Sequence, residues 1–227
     1  MPTTVNFTSL SADVSNYMER GGSAVTDPTV AAQIPRLINA AERDCAQLLK
    51  LLGQIEPLVS TPQQPGGGFQ QGVAVVTKPD RWRSTVSMNY SAGTGNGTRV
   101  QLFPRSYEVC TSYWPSRATY SALHPPKYYA DYDLDHWLIV PTPDQAYPFE
   151  AVLYMQPPLL DASNQSNFWT EYTPNLLLQS TLLQTAIFLI DDVRIPVFQQ
   201  AQQVQLSSLN GQDLQRILDR NAQRTLP

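Results

Sequence analysis

The sequence predicts an α+β protein: a helical bundle formed by the N- and C-terminal segments, with an antiparallel β domain inserted between them. Three observations predict it. Apolar residues recur at three- and four-residue steps up to about Leu52 and again after Pro174. The stretch between them alternates instead and is cut by turn residues. Two long amphipathic helices cannot bury their stripes alone, whereas four can close a core, so the two ends of the chain must meet. The change of pattern assigns residues 1–55 and 162–227 to the helical part, including a C-terminal tail, and 56–161 to the inserted β domain.

The elements follow in order. Ser9 is placed to cap a short helix running through Arg20, with Gly21-Gly22 as its stop. Asp27-Pro28 reads as an N-cap and a first-turn proline. Ile34, Leu37, Ile38, Ala41, Cys45, Leu48 and Leu52 then make one apolar face, which Pro35 should begin or kink and Gly53 should close. A Pro-, Gln- and Gly-rich loop is expected over 57–68. Strands are expected over 72–76, 83–90, 98–103, 137–140 and 149–156. The second and third flank Asn96-Gly97, a hairpin signal. The last two read as a second pair across a proline-stiffened turn, with 105–113 a short helix or loop between the pairs. Pro174 should open a long helix that buries Leu176, Leu177, Leu182, Leu183, Ala186, Ile187 and Leu189. Asp191-Asp192 should turn the chain into another helix, with Phe198, Ala201, Val204 and Leu209 inward and a break at Asn210-Gly211. The remaining tail is polar with a small apolar stripe, Leu214, Ile217 and Leu218.

Composition narrows the function. Charged residues are 15% of the 227, against roughly 25% in an average soluble domain. Gln, Asn, Ser, Thr and Tyr fill the gap, and such residues suit contact surfaces. Fifteen Lys and Arg against 19 Asp and Glu give a net charge of -4. The nearest thing to a cationic cluster is Lys78, Arg81 and Arg83, which is too little for sequence-independent DNA binding. The two cysteines, Cys45 and Cys110, lack metal-type spacing, and Cys45 falls on an apolar helical stripe as a buried free thiol. No basic segment followed by an apolar run opens the chain, and the apolar stretch 176–190 is broken by Gln179, Ser180, Gln184 and Thr185. A soluble protein made in a cytoplasm is expected, with no membrane partner.

The best place for chemistry is Asp131, Asp133, Asp135 and His136, three carboxylates and an imidazole in six residues. Those groups suit a hard or borderline metal. The spacing matches no EF-hand loop, however, and no second ligand cluster accompanies it. The structural reading is a polar turn before the Trp137 strand. His124 and His136 are the only histidines, and no serine or cysteine lies in a nucleophile-elbow pattern. Gly66-Gly67-Gly68 lacks the lysine of a phosphate loop. Tyr120, Tyr128, Tyr129 and Tyr132 cluster near prolines, where aromatics pack loops against sheets more often than they stack on bases or sugars. The sequons at Asn6, Asn89 and Asn96 carry little weight without a secretory route. No catalytic residue, metal or cofactor is assigned.

Three stretches resemble a known family. Residues 34–43 (IPRLINAAER) resemble the second helix of tailed-bacteriophage head-to-tail adaptor, or connector, proteins. Lys127-Tyr128-Tyr129-Ala130-Asp131, followed by His136-Trp137-Leu138-Ile139-Val140-Pro141-Thr142-Pro143, is similar to a segment of the same group. Residues 164–178, with Trp169-Thr170-Glu171-Tyr172 before Pro174, also fit. The resemblance implies a helical bundle bearing a β domain, assembled as a ring, usually dodecameric, below the portal at the head-tail junction of the virion. It implies the portal protein, neighbouring copies of itself and a downstream nozzle or tail-tube protein as partners. Packaged DNA would pass through without tight binding. The C-terminal segment of such adaptors reaches into the portal, which points to Leu214, Ile217, Leu218 and Arg220 as the portal interface. A stopper or tail-completion protein is the nearest alternative. A metal-dependent enzyme using Asp131, Asp133 and Asp135 is the more distant one.

Overall fold

Two helices open the chain, and their caps and breaks set the frame of the first unit. The computed structural model describes residues 5–18, 28–63, 67–92, 97–115 and 123–222, with the side chains of 52 and 213–222 outside that description. The chain forms two units, one made of the residues up to Gln54 together with those from Gln156 onward, the other of Ile55–Met155. The protein is thus mixed α+β.

Helix α1 spans Phe7–Met18. Asn6, not Ser9, caps it: the Ser9 N–H donates to Asn6 Oδ1 at 2.8 Å and the Asn6 N–H donates to Ser9 Oγ at 2.9 Å. Ser9 is therefore the third residue of a reciprocal capping arrangement. The expected stop at Gly21-Gly22 and cap at Asp27 lie outside the described residues. Helix α2, Pro28–Leu48, passes through Pro35 without beginning there. Ala31 and Pro35 both lie on its exposed face, so the carbonyl left without a donor meets water. Its inward face is Ile34, Ile38, Ala41, Cys45 and Ala46, continued by Leu49 beyond the helix, and Leu48 is exposed rather than buried. The helix ends short of Gly53, which lies in a 3₁₀ turn, Leu52–Gln54, where a Cβ would meet the Phe168 ring at 2.3 Å.

Asn167 caps α4, Phe168–Tyr172, in a second reciprocal arrangement with Thr170. Pro174 then opens α5, Pro174–Phe188, as its position predicts. α5 is packed by α1 and α2 as well as by α6, Ile195–Ala222. A helix covered on several sides has no single apolar stripe. Its buried set accordingly mixes Leu176, Leu177, Leu182 and Ala186 with Ser180, Thr181 and Thr185. The Thr181 and Thr185 hydroxyls donate to the carbonyls one turn back, Leu177 and Thr181, at 2.8 and 2.7 Å. The Cys45 thiol donates to Ser180 Oγ at 3.2 Å, and burial pushes that thiol up to about 11, as suits an inert core cysteine. Ile187 and Leu189, expected inside, are exposed, as is Val204, and among the described side chains of α6 Leu206 is the buried apolar one. Asn210-Gly211 does not break α6, which runs straight on to Ala222 with open space around Gly211. None of the described helices is long and apolar enough to cross a membrane.

The helical core is joined by a buried carboxylate. Glu42 on α2 accepts the Leu160 N–H on Oε2 at 3.0 Å and the Asn167 side-chain amide on Oε1. Asn39, one turn earlier, donates its amide to the Leu160 carbonyl at 2.9 Å and to Glu42 Oε2 at 3.1 Å. Leu160 is fully buried in the same core. Residues 156–161, expected with the β module, therefore pack with the helices.

The β unit is a seven-stranded sheet in the order β1-β7-β3-β4-β5-β6-β2. Its strands are β1 Ile55–Ser60, β2 Val75–Thr77, β3 Trp82–Ala92, β4 Thr98–Pro104, β5 Tyr128–Asp131, β6 His136–Val140 and β7 Phe149–Met155. β3 and β4 form the expected hairpin, with Tyr90 opposite Val100. Three expectations fail. β6 and β7 do not pair: β6 lies between β5 and β2, and β7 between β3 and β1, so both hydrogen-bonding edges of each are already taken. The sheet is not wholly antiparallel, since β4 and β5 run parallel, joined by a connection that contains helix α3, Tyr107–Tyr113. β1 occupies part of the expected loop, and its Pro57 is tolerated because β1 is an edge strand. β6 is buried on both faces: Trp137 and Ile139 enter the main sheet core with Phe69, Met88 and Phe149, while Leu138 and Val140 pack with Cys110 of α3. That explains its unbroken apolar run.

Burial raises the Glu42 carboxyl from 4.5 to about 7. A carboxyl raised on folding binds more protons folded than unfolded, so its contribution to stability falls as pH climbs through that window. Thermal unfolding should show the midpoint dropping between pH 4.5 and 7 through this group. Glu42→Gln should flatten that slope and cost about 1–3 kcal/mol, because its NH2 would face donors. An unchanged slope would mean that another group carries it.

Candidate interaction surfaces

The acidic segment is a hairpin turn. Asp131 ends β5, His136 begins β6, and Asp131 stands opposite Trp137. Asp133 accepts from the Asp135 N–H at 2.8 Å and contacts His136 Nδ1 at 2.8 Å. The cation beside it belongs to the protein. Lys78 Nζ lies 3.0 Å from Asp131 Oδ1 and donates to the Asp133 carbonyl at 2.8 Å. Its side chain is 1% exposed and sits over the Trp82 ring at 3.6 Å. Lys78 therefore offsets the mutual repulsion of these carboxylates, and the described residues contain no group of three or more acidic, His or Cys side chains placed to hold a metal ion. It also leaves the Lys78, Arg81 and Arg83 set with one member buried and Arg83 half-buried, so the set is not a cationic surface.

The aromatic segment packs α3 onto the sheet. Ser106 caps α3 by accepting the Val109 N–H. Tyr113 meets Tyr128 edge-on at 5.5 Å, Trp114 meets His124 at 5.3 Å, and Tyr107 lies 5.8 Å from Tyr132. Tyr129 is buried in the sheet core, and Tyr120 lies outside the described residues. Between α3 and the following strands is a mostly apolar cleft of about 340 Å³, lined by Tyr113, Trp114, His124, Pro125, Lys127 and Pro141.

The helical unit exposes more apolar side chain than a solvated monomer needs. The corner between α5 and α6 carries Ile187, Phe188, Leu189, Ile190 and Val193 on its surface, followed by Val197 on α6. Sequence periodicity assigned Ile187 and Leu189 to the core because it cannot see where α5 stops being covered. The corner is held rigidly. Arg194 pairs with Asp191 and donates to the Met18 carbonyl at 3.3 Å, which ties the turn to the end of α1. α5 ends in a Schellman motif, with Asp191 N–H to the Ala186 carbonyl at 2.9 Å and Ile190 N–H to the Ile187 carbonyl at 3.2 Å. The left-handed position of that motif, ordinarily glycine, is Ile190, with φ +54° and 78% exposure.

Beyond the corner, α6 is the longest of the described helices. The last of its described side chains to pack on the helical core is Leu209, yet the helix continues to Ala222, roughly 20 Å further at 1.5 Å per residue. Leu214, Ile217, Leu218 and Arg220 lie along this extension of the helical backbone, and their side chains are outside the described part.

Lys78 should matter to folding only modestly, because its carboxylate partner is exposed. Lys78→Met should lower the unfolding free energy by about 1 kcal/mol, through the lost cation–π contact and ion pair. Urea unfolding of the purified chain measures it, and a loss several times larger would mean that the hairpin itself depends on the lysine.

Comparison with known proteins gives the family. A search of curated proteins found no match. The family model described as SU10 adaptor protein matches residues 5–226, which takes in the helical extension, the corner and the whole β unit. The chain belongs to the SU10 adaptor protein family and is a phage adaptor protein, a component of the virion.

Proposed function

We propose that this chain is the head-to-tail adaptor of a tailed phage, one subunit of a dodecameric ring below the portal that links capsid to tail and surrounds the DNA channel. The role is structural, with no catalysis and no cofactor. The helical unit is the scaffold of the ring, the β unit is presented to neighbours or to the downstream nozzle or tail-tube protein, and the α6 extension docks into the portal.

The observation that carries this reading is the length of α6, whose backbone continues to Ala222. The helical backbone continues roughly 20 Å beyond Leu209, an extension of the kind that a groove on a partner can receive. Leu214, Ile217 and Leu218 recur at three- and four-residue steps on this extension, the spacing by which a helix anchors in a groove. Composition supports the rest: 15% charged residues and a net charge of -4 suit a protein covered by neighbours and indifferent to passing phosphates.

A stopper or tail-completion protein is the alternative, and direct portal binding separates the two. Purified chain mixed with portal rings should decorate one end of them in electron micrographs. A chain ending at Asn210, or one carrying Ser at Leu214, Ile217 and Leu218, should lose that decoration while keeping its thermal midpoint. A full-length chain that ignores portal rings but binds assembled tails would overturn the reading. A lumen lined mainly by Lys and Arg in the assembled ring would overturn its account of DNA passage.

A further inference from the structure

Ile190 suits a free monomer badly on two counts. Its backbone is in the left-handed region, φ +54°, which a β-branched side chain adopts only at a cost. Its side chain is 78% exposed, so the free chain recovers nothing by burial. Asn or Gly at this Schellman position would remove both penalties. A strained, outward-facing apolar residue on a corner pinned by Arg194 is therefore presented to something.

The same chain carries a receptor of matching character. The corner is convex and apolar, with Ile190 and Val193 flanking one exposed carboxylate, Asp192. The cleft on the β unit is concave and mostly apolar, walled by Trp114, Pro125 and Pro141, with the exposed Lys127 among its lining residues. A closed ring needs two different, complementary faces on each subunit.

We propose that the α5–α6 corner is one half of the contact between neighbouring copies of this chain: Ile190 and Val193 seat in the Trp114–Pro125–Pro141 cleft of the next copy, and Asp192 faces Lys127. The proposal rests on the ring reading above and names the surfaces that close the ring.

The experiment compares Ile190→Gly with the parent. Dispersed at low concentration, the variant should melt no earlier than the parent, and later if the strain is fully released. Its self-association, followed by analytical ultracentrifugation and by ring counts in micrographs with and without portal, should weaken roughly tenfold or more. Asp192→Lys and Lys127→Glu should each weaken association, and combining them should restore it. An Ile190→Gly chain that melts much earlier would assign Ile190 to folding and overturn the proposal. Rings that form equally well from parent and variant would overturn the proposal and leave the ring reading intact. Failure of the charge exchange to rescue would rule out this cleft as the receptor. Loss of portal binding with self-association untouched would give the corner to the portal, which also overturns it. A parent chain that forms no ring alone or on portal would defeat the ring reading and the proposal together.

Discussion

The helical unit depends on one buried carboxylate. Helices α1 and α2 come from the first 48 residues and α4 to α6 from the last 60 or so, with the whole β unit between them in sequence. Closing such a loop costs entropy that grows slowly with length, but the returning chain must still be captured at one place. Glu42 does this. It receives the Leu160 N–H just after the chain leaves β7, and the amide of Asn167 just before α4 begins. Asn167 also uses its side-chain carbonyl to cap α4, so a single residue fixes the start of that helix and its attachment to α2. The cost is a carboxyl held near neutrality by desolvation. The gain is directional: these hydrogen bonds fix where the returning chain meets α2, which undirected hydrophobic packing does not specify.

This latch also connects two stretches that carry the family resemblance. Asn39 and Glu42 belong to the IPRLINAAER segment, and Asn167 to the segment around Trp169-Thr170-Glu171-Tyr172. In sequence they are more than a hundred residues apart and look unrelated. In space they are donor and acceptor of one buried network. The third familiar segment, Tyr128 to Pro143, forms the strand pair β5–β6 with Trp137 at the centre of the sheet core. Many of the distinctive residues therefore build the two cores, while Lys127 and Pro141 of the third segment also line the cleft beside α3.

How much was legible follows from which signals are local. The α2 stripe, the Pro174 start and the Arg83–Phe103 hairpin depend on spacing within one segment, and each is present in the fold. The strands that sequence reading missed, β1 and β5, are defined by pairing with β7 and with β4 and β6, partners that a local pattern does not reveal. Pro57 hid β1 because proline argues against a central strand and is silent about an edge. Gly211 suggested a break that did not occur, since an exposed helical glycine weakens a helix by only about 1 kcal/mol. The acidic hairpin could not be resolved from residues 131–136 alone, because its cation comes from Lys78, more than fifty residues earlier. Ile187 and Leu189 read as core because helical spacing places them with Leu182 and Ala186; their exposure depends on where α5 ends and on how Arg194 turns the chain.

These facts separate two kinds of apolar surface in one small protein. The buried kind is accounted for by Glu42, Lys78 and the hydroxyls of α5, each polar group matched to a named partner. The exposed kind lies at the α5–α6 corner and on Val197 and Val204 of α6. Charge there is sparse: of the corner's three charged residues, Asp191 and Arg194 pair with each other and Asp192 is exposed. Low charge, a long final helix and a strained exposed isoleucine all fit the proposed assembly, in which a chain that completes its own cores would have its outer surfaces covered by neighbouring subunits.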